Sequence, residues 1–247
     1  MIRKTIQKAL LAAGYYLRST RHFGDSYWND LATLLRKRNV SQPLVFDAGA
    51  HHGETLLAAR KSLPGAVIHC FEPDPGSLGI LRAAASGMKD VTIHPVALGA
   101  KPGNAEFHRN IESMTNSLLP TSAESLASDY AELTATQDKI DVPVETLDSV
   151  CERDGITHID VLKTDCQGYD FMVLQGGEKM ISSHSIGIIT CEVIFDDEYE
   201  GQGTYHELLA FLDNRGYRFM GFYNMARSRE GACTFCDAIF YLPTIQS

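Results

Sequence analysis

The stretch Val45-Phe46-Asp47-Ala48-Gly49-Ala50-His51-His52-Gly53-Glu54 decides how the chain is read, because an apolar run ends there in an acid and a glycine turn. A strand over Leu44 to Ala48 and a helix from Glu54 to about Ser62 place Gly49 and Gly53 in the connecting loop. Glycines let the backbone turn sharply and approach a ligand closely, and the following helix offers main-chain N–H groups with no intrahelical partner. Taken alone, such a turn serves equally well for packing. The next strand, Ala66 to Phe71, changes its meaning by ending in Phe71-Glu72-Pro73-Asp74. A carboxylate about twenty residues beyond a glycine turn can accept hydrogen bonds from both hydroxyls of a ribose. A surface acid is the plainer reading of Glu72.

Outward from this pair, apolar β-rich runs alternate with helix-period segments from Pro43 onward, the mark of a parallel sheet covered by helices. A helix over about Gly76 to Ser86 leads to a strand at Val91 to His94. Val96 to Arg109 reads as a turn and an extra strand, Asn110 to Ser122 as a polar loop, and Ala123 to Leu133 as a helix. A strand near Ile140 to Val144 and a short helix from Leu147 precede the fourth main strand, Ile159 to Lys163. A helix over Tyr169 to Met180, a fifth strand over Ile186 to Val193 and a helix over Tyr205 to Asn214 follow. Tyr217 to Tyr223 and Thr234 to Leu242 have no helix-length segment between them and close as an antiparallel pair. The expected fold class is therefore α/β: a mostly parallel seven-stranded sheet with helices on both faces and a C-terminal antiparallel hairpin. Residues 1–40 read as a basic helical N-terminal extension and residues 41–247 as the α/β domain.

Composition narrows the partners. The formal net charge is −9, which opposes a role in gripping nucleic acid, since phosphate binding needs clustered Lys and Arg. The charge is uneven: eight basic residues against Asp25 and Asp30 through Val40 give about +6, leaving about −15 for the remainder. Met1-Ile2-Arg3-Lys4 and the apolar Ala9 to Ala13, followed by Arg18 and Arg21, suit an amphipathic helix packed on the domain. A peripheral membrane or partner contact is the alternative, with a secretion signal behind both. No stretch approaches the roughly 20 apolar residues that span a bilayer. Six scattered cysteines suit a reducing cytoplasm, and Cys233 and Cys236, lacking a second ligand pair for zinc, read as packing residues. No metal is expected, and a homo-oligomer is compatible with everything in the sequence.

A nicotinamide dinucleotide would use the same acid, but it calls for G-x-G-x-x-G to hold a pyrophosphate, where this chain has Gly49-Ala50-His51-His52-Gly53. S-adenosylmethionine has no pyrophosphate and tolerates bulk in that loop. Its ammonium group would be complemented by the Asp47 carboxylate. The nicotinamide oxidoreductase and a non-catalytic nucleoside-binding module remain as competing readings, as does an RNA methyltransferase served by the basic extension.

The chain resembles the FkbM-type methyltransferases. The resemblance is carried by the glycine stretch, Phe71-Glu72-Pro73, Val96-Ala97-Leu98-Gly99, Asn116-Ser117-Leu118, Leu162-Lys163-Thr164-Asp165-Cys166-Gln167-Gly168-Tyr169-Asp170 and Cys191-Glu192-Val193, in matching order over about Pro43 to Leu242. It implies a class I (Rossmann-like) methyltransferase fold, S-adenosylmethionine as donor, and methylation of a hydroxyl oxygen on a sugar, glycan, glycolipid or natural-product acceptor. By position, Gly49, Ala50, His51, Gly53 and Glu54 would form the cofactor loop. Glu72 and Pro73 would hold the ribose, Val96 and Ala97 would lie beside the adenine, and Asn116, Ser117 and Asp165 would complete the site. Two departures stand out: Gln167 where the family commonly has Glu, and His51 where it usually has Asn.

Methylating an alcohol calls for a group that removes its proton as the bond forms. Asp165, by its place after the fourth strand, and His51, by its pKa range, are the candidates; capping the next helix and plain surface polarity are their structural alternatives. Glu192 could share the pocket and, with Asp165, form a weak Mg²⁺ site. The acceptor would be met by Arg109 to Leu119, including Met114, and by Phe195 to Thr204 with Asp196, Asp197, Glu198, Tyr199 and Glu200. Tyr169, Tyr223 and His206 are further candidates for the cleft.

Overall fold

The computed structural model describes residues 2–15, 23–128 and 131–243. At its centre lies a seven-stranded sheet in the order β3 (Val91–His94), β2 (Val67–Phe71), β1 (Leu44–Ala48), β7 (Ile159–Thr164), β8 (Ile186–Ile194), β10 (Phe235–Tyr241), β9 (Arg218–Tyr223). Neighbours from β3 to β8 pair in parallel, and β10 runs antiparallel to both of its neighbours. This is the class I architecture that the resemblance implies. The central strands β1, β7 and β8 are largely buried because both faces of the sheet are covered there; in β8 every residue is buried except the partly exposed Glu192.

On one face, α7 (Leu147–Asp154), α8 (Asp170–Gly176), α9 (Glu178–Ser182) and α10 (Tyr205–Asp213) bury Leu147, Leu174, Ile181 and Leu212 against Phe46, Leu162 and Phe240. On the other, α2 (Tyr27–Lys37), α3 (Glu54–Ser62) and α4 (Pro75–Ala84) bury Leu31, Leu35, Leu56 and Leu81 against Val45, Ile68 and Ile188. The Tyr27 hydroxyl donates to Thr190 Oγ1 at 2.9 Å, the Tyr223 hydroxyl donates to Asp30 Oδ2 at 2.8 Å, and Arg38 donates to the Leu242 carbonyl at 2.7 Å. Residues 27–38 are thus continuous with the body of the domain. By contrast, α1 (Ile2–Ala12) forms where the amphipathic helix is expected, with Ile6 and Leu11 49% and 52% exposed. Arg18 and Arg21 lie outside the described residues. Among the described residues, no helix is long and apolar enough to cross a membrane, and the six cysteines are free. Cys236 packs in the core, whereas Cys233 precedes the strand and is half-buried.

The segment between β3 and β7 departs most from expectation. It builds a second, three-stranded sheet in the order β4 (Ala97–Leu98), β6 (Thr136–Glu145), β5 (Gly103–Asn110), with short helices α5 (Ala123–Leu126) and α6 (Ala131–Thr134) where one long helix is expected. Strand β6 begins at Thr136, well before Ile140, with Thr136 to Lys139 exposed. The helix expected over Tyr169 to Met180 breaks at Gly176 and Gly177. A Cβ on Gly176 would lie 2.0 Å from the Gly99 carbonyl oxygen and one on Gly177 2.6 Å from Leu147 Cδ2, so the chain passes too close to its neighbours for any side chain.

Candidate active site

Strand order reverses between β1 and β7, and their carboxyl ends open into a cleft of about 1210 Å³. That exceeds the roughly 300–1,000 Å³ of single-ligand sites and leaves room for two small molecules side by side. Ten Asp and Glu residues line it, against Arg229 alone of the Lys and Arg among the described lining residues. The cleft is built for cationic and hydroxylated molecules.

The two strand ends are locked together. Gly49 has φ +82°, and a Cβ there would lie 1.9 Å from the Asp165 carbonyl oxygen, so only glycine lets the loops after β1 and β7 meet. Gly53, at φ +95°, caps α3 and packs on Leu81 and Ala84. Glu72 is 5% exposed, and its carboxylate accepts the His51 N–H at Oε2 and the Asp74 N–H at Oε1, both at 2.8 Å. Burial pushes its carboxyl up to about 7 against those two hydrogen bonds. Asp74 caps α4 by accepting the Ser77 N–H at 2.8 Å.

Gly49, Ala50, His51, Glu54, Glu72, Pro73, Ala97, Asn116 and Asp165 all line the cleft, as does Tyr169. Four expected cofactor residues do not face it. Asp47 is fully buried behind the turn, and neither of its carboxylate oxygens has a hydrogen-bond partner; burial pushes it up to about 6, with Lys163 opposing. Gly53 packs inward, Val96 joins the core, and the Ser117 hydroxyl donates to the Gln167 carbonyl at 2.7 Å. Tyr223 is engaged with Asp30 outside the cleft, and His206 does not line it.

At the far end of the cleft, Lys163 Nζ donates to Asp165 Oδ2 at 2.9 Å, and Gln167 Nε2 donates to Asp165 Oδ1 at 3.1 Å and to Glu192 Oε2 at 3.0 Å. The Tyr199 hydroxyl donates to Gln167 Oε1 at 3.0 Å and is within 3.1 Å of the Thr115 carbonyl. Burial pushes the Asp165 carboxyl up, but the Lys163 ammonium and the Gln167 amide outweigh it and hold it below the usual range. Glu192 moves the other way, well above that range, through burial and then Asp165. His51 is engaged too: Nε2 lies 2.9 Å from Ser113 Oγ, Nδ1 lies 3.4 Å from Glu54 Oε1, and burial followed by His52 lowers its pKa. A Mg²⁺ ion bridging Asp165 Oδ1 and Glu192 Oε2 would have to displace the Gln167 Nε2 that lies between them, 3.1 and 3.0 Å from each.

The two irregular loops expected at the acceptor side come together as one wall. The Tyr199 hydroxyl lies 3.1 Å from the Thr115 carbonyl, and just beyond the first loop Ser122 N–H donates to the Glu198 carbonyl, Glu200 N–H donates to the Pro120 carbonyl, and Thr121 bridges Tyr199. Met114, Asn116, Asp196, Asp197 and Glu198 line the cleft there, and burial followed by Asp196 pushes Glu198 up to about 7.

The profile of the Methyltransferase FkbM domain matches residues 47–219. The chain belongs to this family. The FkbM-type match thus runs from the acid of the glycine stretch into β9 and takes in the cleft-lining loops after β1, β2, β7 and β8. Among curated relatives, 2-O-methyltransferase NoeI of Sinorhizobium fredii is 25% identical over 187 residues, 74% of this chain and 74% of its own. The 31-O-demethyl-FK506 methyltransferase FkbM of Streptomyces tacrolimicus is 28% identical over 194 residues, 70% of this chain and 72% of its own. Among solved structures, an rRNA methylase from Streptococcus thermophilus superposes with a TM-score of 0.48 at 11% identity, covering 92% of this chain and 100% of that one.

Sequence reading missed the part played by three residues in this FkbM-family methyltransferase. Lys163 carried a signal, a charge inside an apolar strand; Gln167 was visible only as a departure from the family, and Tyr199 only as one member of an acidic loop.

Proposed function

We propose that this methyltransferase uses S-adenosylmethionine to methylate a hydroxyl oxygen of a sugar, glycan, glycolipid or natural-product acceptor. The observation that carries the donor assignment is Glu72, whose carboxylate is held by two main-chain N–H groups at the cleft wall beside the glycine turn. A carboxylate oxygen has two lone pairs, so each keeps one for a ribose hydroxyl. The buried, unsatisfied carboxylate of Asp47 behind the turn and the acidic lining suit a ligand that carries a sulfonium and an ammonium. Gly49, Ala50, His51, Glu54, Pro73, Ala97 and Asn116 would surround the donor, which supplies the methyl group. The oxygen acceptor is supported by the paired acids Asp165 and Glu192 at the reacting end and by both curated relatives, whose names specify O-methylation.

Calorimetry with S-adenosylmethionine and with NAD tests the donor: heat with the first and none with the second is expected, and the reverse overturns the reading. Incubation with isotopically labelled donor and a panel of methyl glycosides, glycolipids and hydroxylated macrolides, followed by mass spectrometry, tests the acceptor. Label on nitrogen or carbon, or on RNA alone, overturns the hydroxyl assignment.

A further inference from the structure

We propose that Glu192 is the catalytic base of the methyl transfer and that Gln167 is the residue that positions it. This rests on the cleft being the methyl-transfer site. Both alternatives in the sequence are committed elsewhere. Asp165 accepts from Lys163 at 2.9 Å and from Gln167 at 3.1 Å, and the adjoining ammonium holds its carboxyl below the usual range, which makes it a poor proton acceptor. His51 is held between Ser113 and Glu54. Glu192 differs: among the described residues its carboxylate accepts one hydrogen bond, at Oε2 from Gln167, and the side chain lines the cleft. Oε1 is left to meet an acceptor hydroxyl.

Gln167 can do this only as an amide held one way round. Tyr199 donates to its Oε1, which turns the NH₂ group toward the two acids, and one nitrogen then supplies a proton to each. The main chain helps: Gln167 sits at φ +51° with its carbonyl held by Ser117. A glutamate at 167 would bring a third carboxylate against Asp165 and Glu192 and could donate to neither while ionised. The amide that replaces the family's usual acid therefore lets Glu192 approach Asp165.

The groups facing Glu192 are Asp165 and Lys163 from β7 and its loop, Asp170 from α8, Glu198 and Tyr199 from the loop after β8, and Asp237 opposite it on β10. Burial and the surrounding acids strengthen its hold on a proton, which suits a base that must take one from an alcohol. In the step, the acceptor O–H bond breaks and its proton passes to Glu192 Oε1. The acceptor oxygen forms the new C–O bond to the methyl carbon, and the electron pair of the broken C–S bond stays on sulfur. A cationic donor beside these acids also favours ionised Glu192, so its binding releases a proton.

The test is calorimetry of S-adenosylmethionine binding to wild type, Glu192→Gln and Asp165→Asn in buffers of different ionisation heat, with turnover of methyl glycosides measured across pH. Glu192→Gln is expected to bind donor within about threefold of wild type, release fewer protons, and lose about 10²–10⁴-fold in kcat together with the acidic limb of the pH profile. Unchanged proton release, or retained turnover with the acidic limb intact, overturns the assignment. In wild type alone, S-adenosylmethionine binding that releases no proton overturns it too, whether or not the variant folds. Wild type that fails to bind the donor overturns the donor assignment and this proposal with it. Donor binding with a fully active Glu192→Gln overturns the base alone.

Discussion

The main-chain N–H of His51 donates to Glu72 Oε2 at 2.8 Å, so the glycine turn after β1 and the acid after β2 form a single rigid unit. The acid proposed to bind the ribose is fixed by the same loop that is proposed to surround the rest of the donor.

Glu72→Ala removes a charged acceptor from two buried N–H groups. Hydrogen bonds to charged groups contribute about 1.5–3 kcal/mol each, so losing two ribose contacts should lower donor affinity by about 100-fold or more. Calorimetry reads this directly. An unchanged Kd would separate Glu72 from the donor.

Gly49→Ala and Gly201→Ala form a matched pair. Both residues have positive φ, +82° and +78°, but a Cβ at 201 meets nothing within 4 Å, whereas one at 49 lies 1.9 Å from the Asp165 carbonyl. Backbone strain alone costs about 1–2 kcal/mol, so Gly201→Ala should lower Tm by only a few degrees. Gly49→Ala should cost more than that and abolish donor binding, because β1 and β7 must move apart. Equal losses in thermal unfolding would refute the role given to close approach.

Asp47 is raised to about 6, and Glu72 and Asp170 are raised to about 7, chiefly by burial. A carboxyl with a raised folded-state pKa favours folding while protonated. Its contribution is complete below the unfolded-state value near 4 and is lost as pH rises through 6 to 7. Asp47→Asn should therefore gain stability over wild type as pH rises, by about 3 kcal/mol at pH 8 and little at pH 4. Thermal unfolding against pH measures the difference. A constant offset would show that Asp47 does not titrate with folding.

Chelation should leave turnover unchanged. Gln167 Nε2 lies between Asp165 and Glu192, 3.1 and 3.0 Å from the oxygens that a bridging divalent ion would use. Loss of activity in EDTA, restored by Mg²⁺, would contradict this.

The large sheet was legible because its strands are short apolar runs punctuated by glycines and acids: Leu44–Ala48 and Val91–His94 lie where the pattern places them. Strand β6 was not, since Thr136 to Lys139 lie exposed on a small sheet and carry no apolar alternation. The break at Gly176 depends on the Gly99 carbonyl, a contact no local pattern encodes. The loops after β1 and β2, which meet at one cleft, could be read from order and spacing. The reacting end could not, because the partners of Gln167 stand 2, 25 and 32 positions away in sequence and only the folded chain brings them to one amide.

The helix Tyr27–Lys37 has a practical consequence for anyone trimming this protein. Its hydroxyl, carboxylate and guanidinium bonds reach β8, β9 and the segment just past β10, tying the beginning of the fold to its end. A version cut at residue 40, as charge alone would suggest, loses the layer that shields Val161 and Ile188 from water and should be recovered as aggregate. A version starting at about residue 23 keeps that layer and should purify as a folded domain.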